Sequence, residues 1–495
     1  MSNYKIIATN ASYLMVAQLV SMVFSILLGI FIARKMGSVE FGKYSFAIAF
    51  TAIFGVFSDL GYNTLLLREV SKDKQKVAKY ASNLLSIYAI SNLLIFFIII
   101  ATINILSYPP YMQLVVSLFA ISVLWGSFST LFKDIFRSFE QMKYEASVNI
   151  AINIVRCSFG LAILFLGYGL IALALVYVFS GFLDFILSYL ICRENFIKPR
   201  FELDINFFKG TIASALALCL LPFLGIILAR ADTIMLSTMD GDYAVGLYNA
   251  AYNIVRDFRF IPVILLNALF PTALSIYEKS KGDFHNYYSK AISYLLVVSI
   301  PMTVGLFLLS EEIILFAYGS QYLGSTDTLK IVALDIPLFC IFIALGNAFI
   351  SMGKERLVAI SVAISAIFNI CLNLILIPKF SFNGAAVATD LSEFLLAIIY
   401  LIFMQRYLWA VPIHRFLIKP ITASIPMFIF IIISKHFAIN LFIIIFFSII
   451  IYGYMFIRMG GLDNEEKIKA HCIYLGAKTK IFRILSKMAP KFLIP

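Results

Sequence analysis

Charge is scarce in this 495-residue chain: Asp, Glu, Lys and Arg make up 13% of it, against about a quarter in soluble domains. Cysteine is scarce too. Cys157, Cys192, Cys219, Cys340, Cys371 and Cys472 stand apart, with no pair at metal-ligand or disulfide-framework spacing. That excludes a disulfide scaffold and leaves them as small, inert core residues. Four histidines (His285, His414, His436 and His471) are too scattered for a metal site. A phosphate-binding P-loop, an HExxH pair and a large polar domain are all missing, so neither ATP hydrolysis nor a cofactor is expected.

What the chain has instead is apolar surface. Hydrophobic residues make up 62% of it and the mean hydropathy is +0.95. Soluble cores stop growing at roughly 250–300 residues and longer chains split into domains, so this excess must face something other than water. Windows of about 20 residues predict fourteen helical spans, near 11–33, 45–66, 80–103, 112–132, 147–167, 169–190, 211–231, 246–270, 289–310, 328–350, 356–377, 382–404, 417–435 and 438–457. The fold expected is an all-α polytopic membrane protein. The first span is too long, and too polar at its start, for a cleaved signal peptide.

The net charge of +12 would suggest nucleic acid for a soluble protein, but here the basic residues sit in short loops between apolar runs. Most fall on one side, in the N-terminus, the even-numbered loops and the tail after Arg458, whereas Arg34, Lys35, Lys43, Arg230, Lys330, Lys379 and Lys435 fall on the other. The positive-inside rule then puts both termini in the cytoplasm of a plasma membrane, bacterial inner or archaeal. The final KTKIFRILSKMAPKFLIP interleaves basic and apolar residues. It reads equally as an amphipathic segment on the anionic inner leaflet or as a basic tail that only fixes topology.

Two short patterns recur. FGKYSFAIAF opens span 2 and VGLYNAAYNI opens span 8, matching Gly42, Tyr44 and Ala47 to Gly246, Tyr248 and Ala251. GLIALA opens span 6 and GAAVAT opens span 12, pairing Gly169, Ala172 and Ala174 loosely with Gly384, Ala385 and Ala388. Both offsets equal six spans, so the halves would be related by a pseudo-two-fold axis along the membrane normal. The expected organisation is an N-terminal lobe (1–195, helices 1–6), a C-terminal lobe (196–410, helices 7–12), helices 13–14 (411–458) and a basic tail (459–495), with a cleft between the lobes. Two lobes of like topology suggest a transporter more than a channel.

ARKMGSVEFGKYS at 33–45, DLGYNTLLLREVS at 59–71 and NGAAVATDLSE at 383–393 resemble signatures of prokaryotic polysaccharide flippases. These Wzx-like O-antigen and capsule flippases belong to the multidrug, oligosaccharidyl-lipid and polysaccharide exporter superfamily. The resemblance spans essentially the whole chain. It implies that a polyprenyl-diphosphate-linked oligosaccharide moves to the outer leaflet by alternating access. It further implies a central cavity for the head group and a groove along helices 13 and 14 for the lipid tail. Expected partners are that lipid-linked glycan, membrane lipids and glycan-assembly enzymes; nucleic acid is not expected.

Ionisable groups inside a membrane cost about 2.5–3.5 kcal/mol each on insertion scales, so those that persist face a cavity or a partner. On helix 8, Asn249, Tyr252, Asn253, Arg256 and Arg259 recur at helical spacing as one polar stripe, with Arg256 about 15 Å deep. A guanidinium fork there suits a diphosphate; the competing reading pairs Arg256 with Asp257 or Asp184. Arg156 in helix 5 reads equally as a diphosphate ligand or as an ion-pair partner of Asp184. Arg230 and Asp232 close the outer end of helix 7 as an interfacial pair or gate, and Arg34, with Lys35, anchors or gates helix 1. Glu393, Asp390, Asp335 and Asp184 are candidates for carrying H⁺ or coordinating Na⁺, although Asp390 and Asp335 also suit first-turn positions near a helix dipole. The polar stripes on helix 1 (Gln18, Ser21 and Ser25) and helix 11 (Ser361, Ser365, Asn369 and Asn373) read as cavity wall and as packing, respectively.

Two rival functions remain at this point. An ion-coupled multidrug exporter of the same superfamily would favour an acidic, aromatic-lined cavity, which the arginines oppose. A membrane glycan polymerase or ligase would need large outer loops, and the outer loops here are short, with Asp240, Asp242, Glu311 and Glu312 on a hydrated face.

Overall fold

The computed structural model describes residues 2–264, 266, 273, 276–277, 280–408 and 411–461, so the predicted basic tail lies outside the described residues. The described chain is helical throughout: α1 (Ser2–Gly55), α2 (Tyr62–Lys72), α3 (Val77–Ile105), α4 (Pro110–Ser138), α5 (Met142–Phe165), α6 (Leu170–Asn195), α7 (Ile205–Met239), α8 (Asp242–Phe258), α9 (Lys281–Leu308), α10 (Ser310–Ala317), α11 (Ser325–Ala333), α12 (Asp335–Ser351), α13 (Glu355–Tyr407), α14 (Ile413–His436) and α15 (Leu441–Arg458). Long apolar runs have no water to satisfy their backbone groups in lipid, and a helix satisfies them internally.

Eleven of the described helices are long and apolar enough to cross a membrane. Two of these are double, because α1 turns sharply at Gly37 (φ 82°) and α13 turns at Ser381 (φ 53°). Counted with the shorter α8, the architecture is consistent with fourteen crossings. Odd-numbered crossings run toward the face that holds Gly37 (the turn face), and even-numbered ones return to the face where α1 starts and α15 ends (the terminal face).

Several boundaries differ from the sequence reading. The predicted second span, 45–66, stops at Gly55. A turn follows in which Leu60 and Gly61 take positive φ, and Asp59 accepts from Gly61 N (2.9 Å) and from the Asn63 amide. The separate helix α2 then buries Tyr62, Leu65, Leu66 and Val70 along one side. The tenth span is broken at Leu334 between α11 and α12, and α10 was not anticipated. Burial here raises the Asp59 carboxyl above its usual range, outside the spans.

Packing explains where a cleft can form. One core cluster joins the halves on the turn-face side, combining Ile32, Phe41, Phe46 and Phe50 with Leu247, Tyr248, Ala251, Tyr322 and Val332. Toward the terminal face the core divides. One cluster gathers Tyr62, Leu84, Phe132 and Phe136 with Phe207 and Ala215 of α7, while another gathers Phe284, Leu296, Phe349 and Tyr400. A fourth cluster seats α14 and α15 on α9 through Leu309, Met427, Ile431 and Tyr452. The core is thus continuous at the turn face and divided toward the other, where the start of α7 still packs on the first half.

Candidate functional site: an arginine-lined central cavity

A cavity of about 510 Å³ lies where the halves part. The first arm of α1 contributes Gln18, Ser21 and Ser25, three or four residues apart and therefore on one side of the helix. The second arm contributes Phe41, Tyr44 and Ser45; α5 contributes Asn153 and Arg156; α6, Tyr177; α7, Arg230; and α8, Asn249, Asn253, Arg256 and Asp257. Three guanidinium groups from both halves thus share one cavity wall with a single carboxylate.

Each arginine is held differently. Arg156 donates from Nε to Ser180 Oγ at 3.0 Å, and its guanidinium lies 4.7 Å from the centre of the Tyr177 ring. Tyr177 is itself fixed by a 2.6 Å contact with the Tyr44 hydroxyl. Arg256 pairs with its neighbour Asp257 at 3.3 Å while staying 41% exposed. Arg230 has a buried Nε with no hydrogen-bond partner and feels the like charge of Arg256. Three guanidinium groups against one carboxylate leave the wall with net positive charge, and such N–H forks can donate paired bonds to the oxygens of an anion.

The stripe expected on α8 divides in two. At 3.6 residues per turn, Asn249, Asn253 and Arg256 project within about 40° of one direction, whereas Tyr252 and Arg259 project some 60–80° away. Asn249 lines the cavity, donating to Thr233 Oγ1 (3.3 Å). Tyr252 instead stacks on Tyr248 at 5.6 Å. Arg259, just past the end of α8, turns from the cavity into the second half. There it donates to both Glu393 oxygens (3.1 and 3.2 Å), contacts Asp335, and packs 4.8 Å from the centre of the Phe339 ring. Phe260 takes the cavity-lining place beyond Arg256.

Other expected pairings also change. Asp184 binds Lys133 at 2.8 Å rather than either arginine. Arg230 and Asp232 do not pair, because residues two apart on a helix face away from each other. Asp232 points into the second half, fully buried, and accepts from Tyr248 Oη (2.9 Å), Thr389 Oγ1 (2.6 Å) and Asn373 Nδ2 (2.5 Å). Asn373 also donates to Asn369 Oδ1 at 3.0 Å, so the helix-11 stripe does more than pack. Among the described residues, Asp232 has no Lys or Arg partner. Asp390 is half-buried near Glu393 and Arg259, with a shielded Oδ1 that lacks a hydrogen-bond partner. Arg34 donates to the Ala317 and Phe316 carbonyls, and Tyr322 Oη donates to Ala33 O at 3.0 Å, closing the turn face. Lys35 lies 5.0 Å from the centre of the Phe165 ring, an amphipathic anchor at a helix end.

Against known proteins, a family model described as polysaccharide biosynthesis protein matches residues 7–276, more than half the chain. The chain belongs to this polysaccharide biosynthesis protein family. A second model, for the lipid II flippase MurJ, matches residues 232–459. The capsular polysaccharide biosynthesis protein CapF of Staphylococcus aureus is 24% identical over 427 residues, covering 80% of this chain and 99% of that protein. The probable low-salt glycan biosynthesis flippase Agl15 of Haloferax volcanii is 24% identical over 379 residues, 73% of this chain and 76% of its own. Among solved structures, an inward closed lipid II flippase MurJ superposes with a TM-score of 0.74 at 18% identity, over 89% of this chain and 97% of that one. An inward-facing MATE-family multidrug resistance transporter of the MOP superfamily reaches 0.60 at 13% identity, over 78% and 94%. The polysaccharide biosynthesis family thus has here a fold shared by MurJ and the MATE transporters.

Proposed function

We propose that this protein is a flippase that carries a polyprenyl-diphosphate-linked oligosaccharide from the cytoplasmic to the outer leaflet of a plasma membrane. The terminal face is cytoplasmic in this reading, in keeping with its excess of Lys and Arg. The observation that carries it is the cavity in which Arg156, Arg230 and Arg256 converge from both halves with one carboxylate, Asp257, among them. The diphosphate binds these forks, while Gln18, Asn153 and Asn253 offer hydrogen bonds to sugar hydroxyls. Separation of the turn-face contacts and closure of the terminal face then moves the site from one leaflet to the other.

Coupling to Na⁺ or H⁺ belongs to the same proposal. Asp232, buried without a cationic partner among hydroxyl and amide groups, fits a monovalent cation or a proton. The group formed by Asp335, Glu393 and Asp390 sets three carboxylates against the single Arg259. A charge deficit in so buried a setting is costly and favours uptake of a positive charge. The MATE likeness leaves multidrug export as a second reading, but an organic cation entering this cavity would meet three guanidinium groups.

The test is flipping of a fluorescent polyprenyl-diphosphate oligosaccharide in vesicles that hold the purified protein, with and without an ion gradient. Protein-dependent flipping that disappears in Arg256→Ala is the expected result. Absence of flipping by folded wild type would overturn the reading.

A further inference from the structure

The repeat tyrosines serve different groups in the two halves. Tyr248 of the VGLY pattern donates to Asp232 Oδ2 at 2.9 Å, so its hydroxyl supports an acid. Tyr44, at the matching place in FGKY, sets its hydroxyl 2.6 Å from that of Tyr177, one donating to the other. Tyr177 is held from a second helix as well. The ring of the buried Phe119, on α4, lies 5.2 Å from that of Tyr177 and 5.8 Å from that of Tyr44, closing an aromatic triangle. The Tyr177 carbonyl accepts from Ser122 Oγ of α4 at 3.0 Å and from Ser180 Oγ at 3.1 Å. On this platform lies Arg156. The Tyr177 ring, 4.7 Å away, fixes the face of its guanidinium, and the bond from Nε to Ser180 Oγ fixes one edge.

We infer that Tyr44 and Tyr177 are positioning residues for substrate capture. With Ser180 they hold Arg156 in one orientation before the diphosphate arrives, its two terminal amino groups left for the cavity; the inference rests on the diphosphate reading given above. Among the described residues, Arg156 has no carboxylate partner, and neither of those amino groups is hydrogen-bonded within the chain. They keep four N–H donors in a planar fork for phosphate oxygens. A loose arginine loses rotamer freedom when a ligand fixes it, whereas a guanidinium already held meets that cost during folding. Arg256 has no such platform among the described residues: it is 41% exposed and bonds only its neighbour Asp257. Arg156 is thus the fixed anchor of the site and Arg256 the adjustable one.

The experiment measures binding of a short-chain polyprenyl diphosphate oligosaccharide to the full-length protein, in a double-mutant cycle of Tyr44→Phe with Arg156→Gln. Phenylalanine keeps the ring against Phe41, Phe119 and Tyr177 and removes only the hydroxyl, so the fold is preserved. Tyr44→Phe should weaken binding about three- to tenfold, the effect of one lost hydrogen bond, and Tyr177→Phe should do the same. In the Arg156→Gln background neither should weaken it further, because the tyrosines act through that guanidinium. An equal loss in both backgrounds would overturn the inference, since the hydroxyls would then touch the ligand themselves or merely support the fold. Wild-type affinity in Tyr44→Phe, or in Arg156→Gln, would overturn it too. These outcomes leave the diphosphate reading standing on Arg230 and Arg256. Absence of binding by folded wild type would instead remove that reading, and the inference with it.

Discussion

Gly42 and Gly246 each pack against the backbone that leads into the other's helix. A Cβ on Gly42 would overlap the Asp242 carbonyl oxygen, and a Cβ on Gly246 would overlap that of Ser38. The two glycines hold matching places in the FGKY and VGLY repeat, and their reciprocal contact is the pseudo-two-fold made physical. The matching tyrosines continue it: Tyr44 reaches Tyr177 on the sixth crossing, and Tyr248 reaches Thr389 on the twelfth.

Gly246→Ala should therefore disfavour the sealed turn face. Overpacking of this kind costs about 1–3 kcal/mol, enough to shift a two-state equilibrium roughly 5–150-fold. A thiol introduced by Gln321→Cys, beside Arg34, reports the change: its labelling by a membrane-impermeant reagent should rise in the Gly246→Ala background. Unchanged labelling would mean that the contact does not hold the face shut.

In the cavity, charge and fork geometry separate cleanly. Arg256→Lys keeps a positive charge but loses paired donation, so glycolipid affinity should fall roughly 10–100-fold, the equivalent of about 1.5–3 kcal/mol for a charge-assisted hydrogen bond. Arg256→Ala should fall further. Binding titrations with a short-chain polyprenyl diphosphate would check this ordering, and a Lys variant equal to wild type would refute the diphosphate role.

Arg259 is expected to behave differently. Its removal leaves Glu393 and Asp335 as uncompensated buried acids, a loss of about 3–5 kcal/mol in stability. Arg259→Ala should therefore unfold at a markedly lower temperature in detergent with or without glycolipid, and adding Glu393→Gln should recover part of the loss. If Arg259→Ala melts like wild type and only transport suffers, the buried staple described here is not what the residue does.

Asp232→Asn separates coupling from transport. The substitution removes the buried negative charge but keeps shape and most hydrogen bonding to Tyr248 and Thr389. Flipping in an imposed Na⁺ or H⁺ gradient should lose its gradient dependence. A gradient response equal to wild type would direct attention to Asp390 and Glu393.

The sequence by itself determined the all-helical layout of apolar spans, because membrane burial writes hydropathy and spacing directly into the chain. It misjudged places where local geometry outranks composition. The turn at Leu60–Gly61 ends the second crossing inside an apolar window, since the Asp59 side chain and positive φ values outweigh hydropathy there. Arg259 shares its spacing with Arg256 but lies about 60° away around the helix, so a loose stripe merged a cavity-lining residue with a buried staple.

Only the tertiary structure decided which charges meet. Arg230 and Asp232 adjoin in sequence and part in space. Lys133 claims Asp184 from a different helix, and the Asp232 shell is assembled from crossings seven, eight, eleven and twelve. Hydropathy needs only one residue and its lipid or core surroundings, whereas a charge pair needs two helices packed at a particular rotation. That rotation is set by contacts such as Gly42 on Asp242, which no stretch of sequence contains alone.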